Sequence, residues 1–172
     1  KDKVEMEDEI RAHIEETHNT KIVCRSGNPI DLTDLEIVNP HSSKSVIVLS
    51  PEESGDPDSQ VIKQILALTN NPNRRSEPYH IVAELRDRKN FAVAKMVGKD
   101  EVEVVTSSDL ISRITVQTSL QTGLSLVYKE LLDFGGDEVY FASAGSLAGK
   151  TYGDAIQLYG DCSLIGLEIS GN

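Results

Sequence analysis

Residues 21–52, KIVCRSGNPIDLTDLEIVNPHSSKSVIVLSPE, decide the fold, because they read as strand, short helix, strand and acidic turn. The runs Ile22-Val23-Cys24 and Val46-Ile47-Val48-Leu49 are short, β-branched and unalternating, the pattern of parallel strands buried on both faces. Between them Asp31-Leu32-Thr33-Asp34-Leu35 opens a helix after Pro29. Two parallel strands joined by a helix predict a dinucleotide-type sheet. No strand with a G-x-G-x-x-G turn precedes this unit, so the chain is expected to begin partway through its domain, without the first strand-helix unit.

Working outward, residues 4–16 predict a charged helix whose stripe of Val4, Met6, Ile10 and Ile14 packs on the sheet. Asp56-Pro57-Asp58-Ser59 caps a helix bearing Val61, Ile62, Ile65, Leu66 and Thr69 on one side. An exposed loop rich in Asn, Pro and Arg follows over residues 70–78. A strand is expected over 79–85, a helix over 90–97 and a strand over 101–105. Strand and helix alternate throughout, as in an α/β parallel sheet.

The rhythm changes at Ser107. Ser107-Ser108-Asp109 caps an apolar helix running to about Leu120, and a second helix spans about 123–132, with the break at Gln121-Thr122-Gly123. Leu110, Ile111, Ile114, Leu124, Val127, Leu131 and Leu132 exceed what one sheet face needs, so burial against another subunit and burial within the chain both remain open. Residues 139–142 and 164–169 are short strand candidates around a small element near 152–158. The expected plan is a partial Rossmann-like lobe over 1–106, a crossover helix-turn-helix over 107–134 and a small α+β C-terminal lobe over 135–172.

Composition bounds the function. At 172 residues and 38% hydrophobic content the chain supports one soluble core, and no apolar run approaches the roughly 20 residues needed to cross a bilayer. A net charge of −11 argues against nucleic acid, whose phosphates need a basic surface. Cys24 and Cys162 form neither a metal pair nor a redox motif and are expected as buried free thiols. His13, His18, His41 and His80 lack zinc-ligand spacing.

Two motifs suggest a nucleotide enzyme and fail on context. Ala144-Gly145-Ser146-Leu147-Ala148-Gly149-Lys150-Thr151 approximates a P-loop, but only 21 residues follow Thr151, too few for the sheet that supplies a magnesium-binding acid. Gly135-Gly136-Asp137-Glu138-Val139 resembles a cyclase signature without its upstream metal strand, and its glycines fit a helix C-cap. The acidic turn from Glu52 to Asp58 lies just past a parallel strand, where open α/β sheets bind ligands. Glu52, Glu53, Asp56 and Asp58 place four carboxylates in seven residues, hard oxygen ligands suited to Ca²⁺, though Pro57 breaks EF-hand spacing. A solvated turn whose acids favour the next helix's N-terminus is the competing account.

Taken together, the elements resemble the RCK (regulator of K⁺ conductance, TrkA-N) domain, and within it the CASTOR/POLLUX-type ion-channel family. The resemblance rests on Lys1-Asp2-Lys3-Val4-Glu5, on Arg25-Ser26-Gly27-Asn28-Pro29 with Asp34-Leu35, and on Ser45-Val46-Ile47-Val48-Leu49-Ser50 with Gly55-Asp56-Pro57-Asp58. It continues through Ala83-Glu84-Leu85-Arg86-Asp87, Val105-Thr106-Ser107-Ser108-Asp109-Leu110-Ile111 and Leu147-Ala148-Gly149-Lys150-Thr151. The resemblance implies a non-enzymatic, ligand-sensing gating-ring module on the cytoplasmic face of a membrane, joined to a channel pore in a longer polypeptide, with calcium as a class of regulator. Ser26-Gly27-Asn28-Pro29 replaces the family's usual Gly-Asp pair, which counts against a nucleotide. Arg25, Gly27, Asn28 and Ser50 are expected to line a ligand crevice, the four acids to hold a cation, and helices within 107–134 to form a homo-oligomer contact. A Trk-type transporter accessory subunit is the alternative within the same resemblance.

Overall fold

In the computed structural model, the described residues are 2–52, 55–133, 135, 138–143, 145–160 and 162–167. Three parallel strands, β1 (Val46–Val48), β2 (Ile81–Leu85) and β3 (Val102–Thr106), form a sheet in the order β1-β2-β3. The register pairs Val46 with Ile81 and Ile81 with Val102, so the three strands start level. Parallel neighbours need a helical crossover. These are α3 (Pro57–Thr69) between β1 and β2, and α4 (Phe91–Gly98) between β2 and β3. The architecture is α/β and Rossmann-like.

Helices α3 and α4 pack on each other and on the sheet. Val61, Ile65 and Leu68 of α3, with Ala94 of α4, meet Val48, Ile81, Ala83, Leu85 and Val102 in one buried cluster. At a typical ~1.5–3 kcal/mol per buried aliphatic side chain, this contact is the main stabilising term of the lobe. α4 turns into β3 at a tight corner. A Cβ on Gly98 would stand 2.3 Å from Val102 Cγ2, so only glycine admits that approach. Lys99 follows at φ +55°, a backbone setting that favours glycine.

Several sequence expectations change. Residues 22–24 form no strand; Ile22 and Val23 are exposed and only Cys24 is buried. The expected burial of both sheet faces is also not met, because Ile47 of β1 is 69% exposed beside the buried Val48. The helical layer of α3 and α4 leaves that side uncovered. The N-terminal helix, α1 (Lys3–His13), forms with a capping box between Asp2 and Glu5 but buries no residue, so its apolar stripe does not pack on the sheet. Its local caps and i,i+4 ion pairs account for it instead. α2 (Leu32–Val38) is capped by Asp31 and docked through the buried Leu35. The loop 70–78 is partly interior, with Asn71 only 2% exposed.

The chain divides into two compact units, Lys1–Leu124 and Ser125–Asn172. The first ends with α5 (Ser107–Leu120); the second holds nearly all of α6 (Leu124–Leu132) and α7 (Tyr152–Ile156). In the second unit Thr151 and Asp154 form a capping box at α7, and the Tyr152 hydroxyl donates to the Leu164 carbonyl at 3.0 Å. Residues 139–142 and 164–167 are not strands; residues 168 and 169 of the second candidate lie outside the described residues. Cys162 is exposed, against expectation, and both cysteines are free.

Candidate functional site at the strand ends

Parallel strands direct their C-terminal ends to one edge of the sheet, and the loops leaving β1, β2 and β3 meet there. Their polar groups are tightly bonded to one another. Ser50 donates its amide to Glu84 Oε2 at 3.1 Å and accepts Arg86 Nε on its hydroxyl at 3.0 Å. Arg86 also donates to the Pro51 carbonyl at 2.8 Å, and the Ser108 hydroxyl donates to the Arg86 carbonyl at 2.6 Å. One side chain therefore ties the loop after β1 to the loop after β2 and, through its backbone, to the start of α5.

Asp58 anchors the same edge from below. Its carboxylate accepts the Arg86 amide at 2.8 Å, the Asp87 amide at 2.9 Å and Asn90 Nδ2 at 2.7 Å, and the residue is 3% exposed. Burial pushes this carboxyl upward, but the three donors outweigh it and hold it below the usual aspartate range. Beside this frame lie two clefts of about 480 and 470 Å³ that share Arg88 and Asp109 in their walls. Asp109 pairs with Arg113 at 2.8 Å and with Arg88 at 3.7 Å. The walls combine these charges with the apolar Phe91, Val104 and Leu110 on one side and Ser108 and Ser112 on the other. Both depressions are open to solvent, and their charges are matched to one another through Asp109.

The expected site residues fall in several places. Ser50 stands in the strand-end frame. Arg25, Gly27 and Asn28 belong to the turn leading into α2, whose own bonds are internal: Arg25 donates to the Cys24 carbonyl at 2.9 Å and the Asn28 amide donates to Asp34 Oδ2 at 2.7 Å. Gly27 lies where a Cβ would come within 3.2 Å of Asp34. Of the four acids, Glu52 is exposed, Glu53 lies outside the described residues, and Asp56 caps α3 by accepting the Ser59 amide. Asp58 is turned inward, and among the described residues no group of three or more His, Cys, Asp or Glu side chains is placed to hold a metal. Arg86, Arg88, Ser108, Asp109 and Arg113 were not singled out from the sequence as site residues. The local signal is slight: Arg86 directly follows β2 and Ser108 and Asp109 lie in the first turn of α5 just past β3, while Arg88 and Arg113 carry none.

The P-loop-like run has a different geometry from a phosphate cradle. Gly145–Leu147 is a short 3₁₀ turn, and Thr151 spends its hydroxyl on Asp154 at the start of a five-residue helix. Ala144 and Asp137 lie outside the described residues.

An α/β sheet with its polar loops gathered at the strand ends is a Rossmann-like domain, the class to which this protein belongs. Residues 108–172 match the family model described as Castor and Pollux, part of voltage-gated ion channel. Similarity to known proteins extends further, along nearly the whole chain. The chain is 32% identical over 171 residues to a protein of Oryza sativa subsp. japonica described as a probable ion channel POLLUX, covering 99% of this chain and 18% of that protein. It is 33% identical over 171 residues to a CASTOR counterpart in the same organism, covering 99% and 19%. It is 30% identical over 173 residues to a POLLUX protein of Arabidopsis thaliana, covering 100% and 21%. The chain belongs to the CASTOR/POLLUX family, and it spans about a fifth of the length of these relatives. The RCK resemblance accords with that family.

Proposed function

We propose that this chain is a non-catalytic, ligand-sensing regulatory module of an ion channel, placed at the cytoplasmic face of the membrane and assembled as part of a gating ring. The observation that carries this reading is a division of labour. The whole chain aligns with ion-channel proteins, yet among its described residues no helix is long and apolar enough to cross a membrane. A pore needs such helices; a regulator of the pore does not. The charged clefts at the strand ends supply a ligand site, and the bonds from Ser50 to Ser108 tie that site to the start of α5. Ligand bound more tightly in one arrangement of the loops than in another shifts the balance between them, and that difference is what reaches the pore.

Two finer parts follow. Self-association through α5 and α6 is supported by the exposure of Ile111, Val116 and Leu120 on the first helix and of Leu126 and Leu132 on the second. Such apolar surface is characteristic of an interface. Calcium as the ligand rests on the acidic run of Glu52, Glu53, Asp56 and Asp58, of which Glu52 is exposed while Asp56 caps α3 and Asp58 faces inward. Sedimentation equilibrium of the chain and of the Ile111→Glu/Leu120→Glu variant tests the first: a concentration-dependent dimer lost in the variant is expected, and a monomer at all concentrations removes the proposal. Calorimetric titration with calcium, on the chain and on Glu52→Gln/Asp56→Asn, tests the second; the absence of heat in the unmutated chain removes calcium as the ligand.

A further inference from the structure

The sheet has two outer edges, along β1 and along β3, and the chain treats them differently. On the β3 side the Val102 carbonyl accepts Lys95 Nζ at 2.6 Å, and Glu103, held by the same lysine at 3.0 Å, sets a charge within the strand. A lysine and a charged residue at an edge are the means by which a strand is kept from pairing with another chain. The β1 side has neither. Residues 45–50, SVIVLS, carry no charge, proline or glycine, and Ile47 and Leu49 are 69% and 68% exposed.

Register fixes what that edge offers. The Val46 amide donates to the His80 carbonyl at 2.9 Å, so Val46, and by alternation Val48, turn their backbone groups towards β2. The amide and carbonyl of Ile47 between them point outward. Its side chain stands on the face that α3 and α4 leave uncovered.

We infer that two copies of this chain join through β1, antiparallel about a two-fold axis at Ile47, into one continuous six-stranded sheet. Two copies that meet by the same edge are related by a two-fold axis, which makes the new neighbours antiparallel and closes the assembly at two. Residues directly opposite one another share a face of the sheet, so the axis falls on a residue rather than between two. Ile47 is the residue of β1 whose two backbone groups are turned outward, and there the copies exchange a pair of N–H···O=C bonds. Ile47 then lies beside Ile47 of the second copy, and Ser45 stands opposite Leu49.

Charge selects a second copy as the occupant. At a net charge of −11 two copies repel over most of their surface, and the uncharged run at β1 is where they approach at least cost. The exposed Lys44 and Glu52 flank that run. In the antiparallel register Lys44 is opposite Ser50 of the second copy, two positions from its Glu52, so each end of the contact sets a cation near an anion. A parallel approach sets lysine beside lysine. The contact is distinct from the α5 and α6 surface and does not depend on it. A strand edge falls below the roughly 1,200 Å² of a standard interface, so it fills at concentrations beyond those of the helix contact.

Amide hydrogen exchange by nuclear magnetic resonance on the 172-residue chain, at about 20 µM and about 1 mM, tests the pairing. For a dissociation constant on the order of 0.1 mM, the Ile47 and Leu49 amides are expected to exchange about three- to fourfold more slowly at the higher concentration, while the β3 amides keep their rates. The Ile111→Glu/Leu120→Glu variant is expected to keep this slowing, which separates it from the helix contact. Ile47→Lys, at an exposed position, sets like charges face to face at the axis and is expected to abolish the slowing at Leu49. Lys44→Glu is expected to weaken it, and Lys44→Glu/Glu52→Lys to restore it. Rates independent of concentration, slowing at Leu49 that survives Ile47→Lys, or a charge-swapped variant no better than Lys44→Glu overturns the proposal.

Discussion

Replacing Asp58 with alanine is expected to destabilise the fold far more than replacing its neighbour Asp56, although the two acids look alike in the sequence. Asp58 satisfies three donors, the Arg86 and Asp87 amides and the Asn90 side chain, at 2.7 to 2.9 Å in a site 3% exposed. Alanine leaves all three without an acceptor. An orphaned buried donor costs about 1–3 kcal/mol, and water entering the vacated space recovers part, so the loss is placed at about 3–4 kcal/mol. Against a typical domain stability of about 5–15 kcal/mol this is a large share. With a urea slope of about 2 kcal/mol per molar, the unfolding midpoint falls by about 1.5–2 M at unchanged slope. Asp56→Ala removes only an exposed helix cap and is expected to shift the midpoint less. The sign with pH follows from the net lowering of the Asp58 carboxyl. A depressed carboxyl stabilises above its unfolded value, about 3.9, and that contribution is lost as pH falls through the folded value. The gap between the unmutated chain and Asp58→Ala therefore narrows below about pH 4. An Asp58→Ala midpoint no lower than that of Asp56→Ala refutes the anchor role.

Glu101→Ala removes the partner of Arg74 and the acceptor of the Tyr79 amide together, with side chains 23% and 11% exposed in the pair. Urea unfolding is expected to show a loss of about 2–3 kcal/mol, below the range for a fully buried pair. Gly98→Ala drives a methyl to within 2.3 Å of Val102 Cγ2 and 2.5 Å of its Cβ and is expected to cost about 1–3 kcal/mol; adding Val102→Gly removes both contacts and recovers part of the clash energy, so the double-mutant cycle is non-additive. Lys99→Gly removes the left-handed strain at φ +55° and is expected to stabilise by about 1 kcal/mol, read as a raised thermal midpoint.

The helices α3, α4 and α5 and the strands β2 and β3 were legible because each announces itself within a dozen residues. Asp56 caps α3; Ser107-Ser108-Asp109 marks the start of α5 but forms its first turn rather than its cap, since Thr106 at the N-cap makes no side-chain cap bond; and β2 carries Ile81, Val82, Ala83 and Leu85 in one short run. The misplaced elements share a different cause. Ile22-Val23-Cys24 has the composition of a buried strand, but a strand also needs a hydrogen-bonded neighbour, and composition does not name one. α1 has an apolar stripe yet no surface to bury it. Within the site, the run Asp56-Pro57-Asp58-Ser59 showed two acids at a helix start and no difference between them. What separates them is a loop 28 residues away whose amides face one carboxylate and not the other. Arg74 and Glu101 are 27 residues apart, and local pattern carries no trace of their pairing.

The N-terminal helix has a consequence for how folding of this chain is observed. α1 is held by its Asp2 and Glu5 cap and by side-chain pairs among Lys3, Glu7, Asp8 and Arg11, with no residue in the interior. A helix of 11 residues that buries no residue fully lies below the length at which helices persist unaided in water, and added salt screens its charge pairs. Its content of helix is thus set by the solvent while the sheet is set by the core. Far-ultraviolet circular dichroism adds the two signals, so a change of buffer alone alters the spectrum with every strand still paired, and side-chain or amide probes within β2 are the ones that report the domain itself.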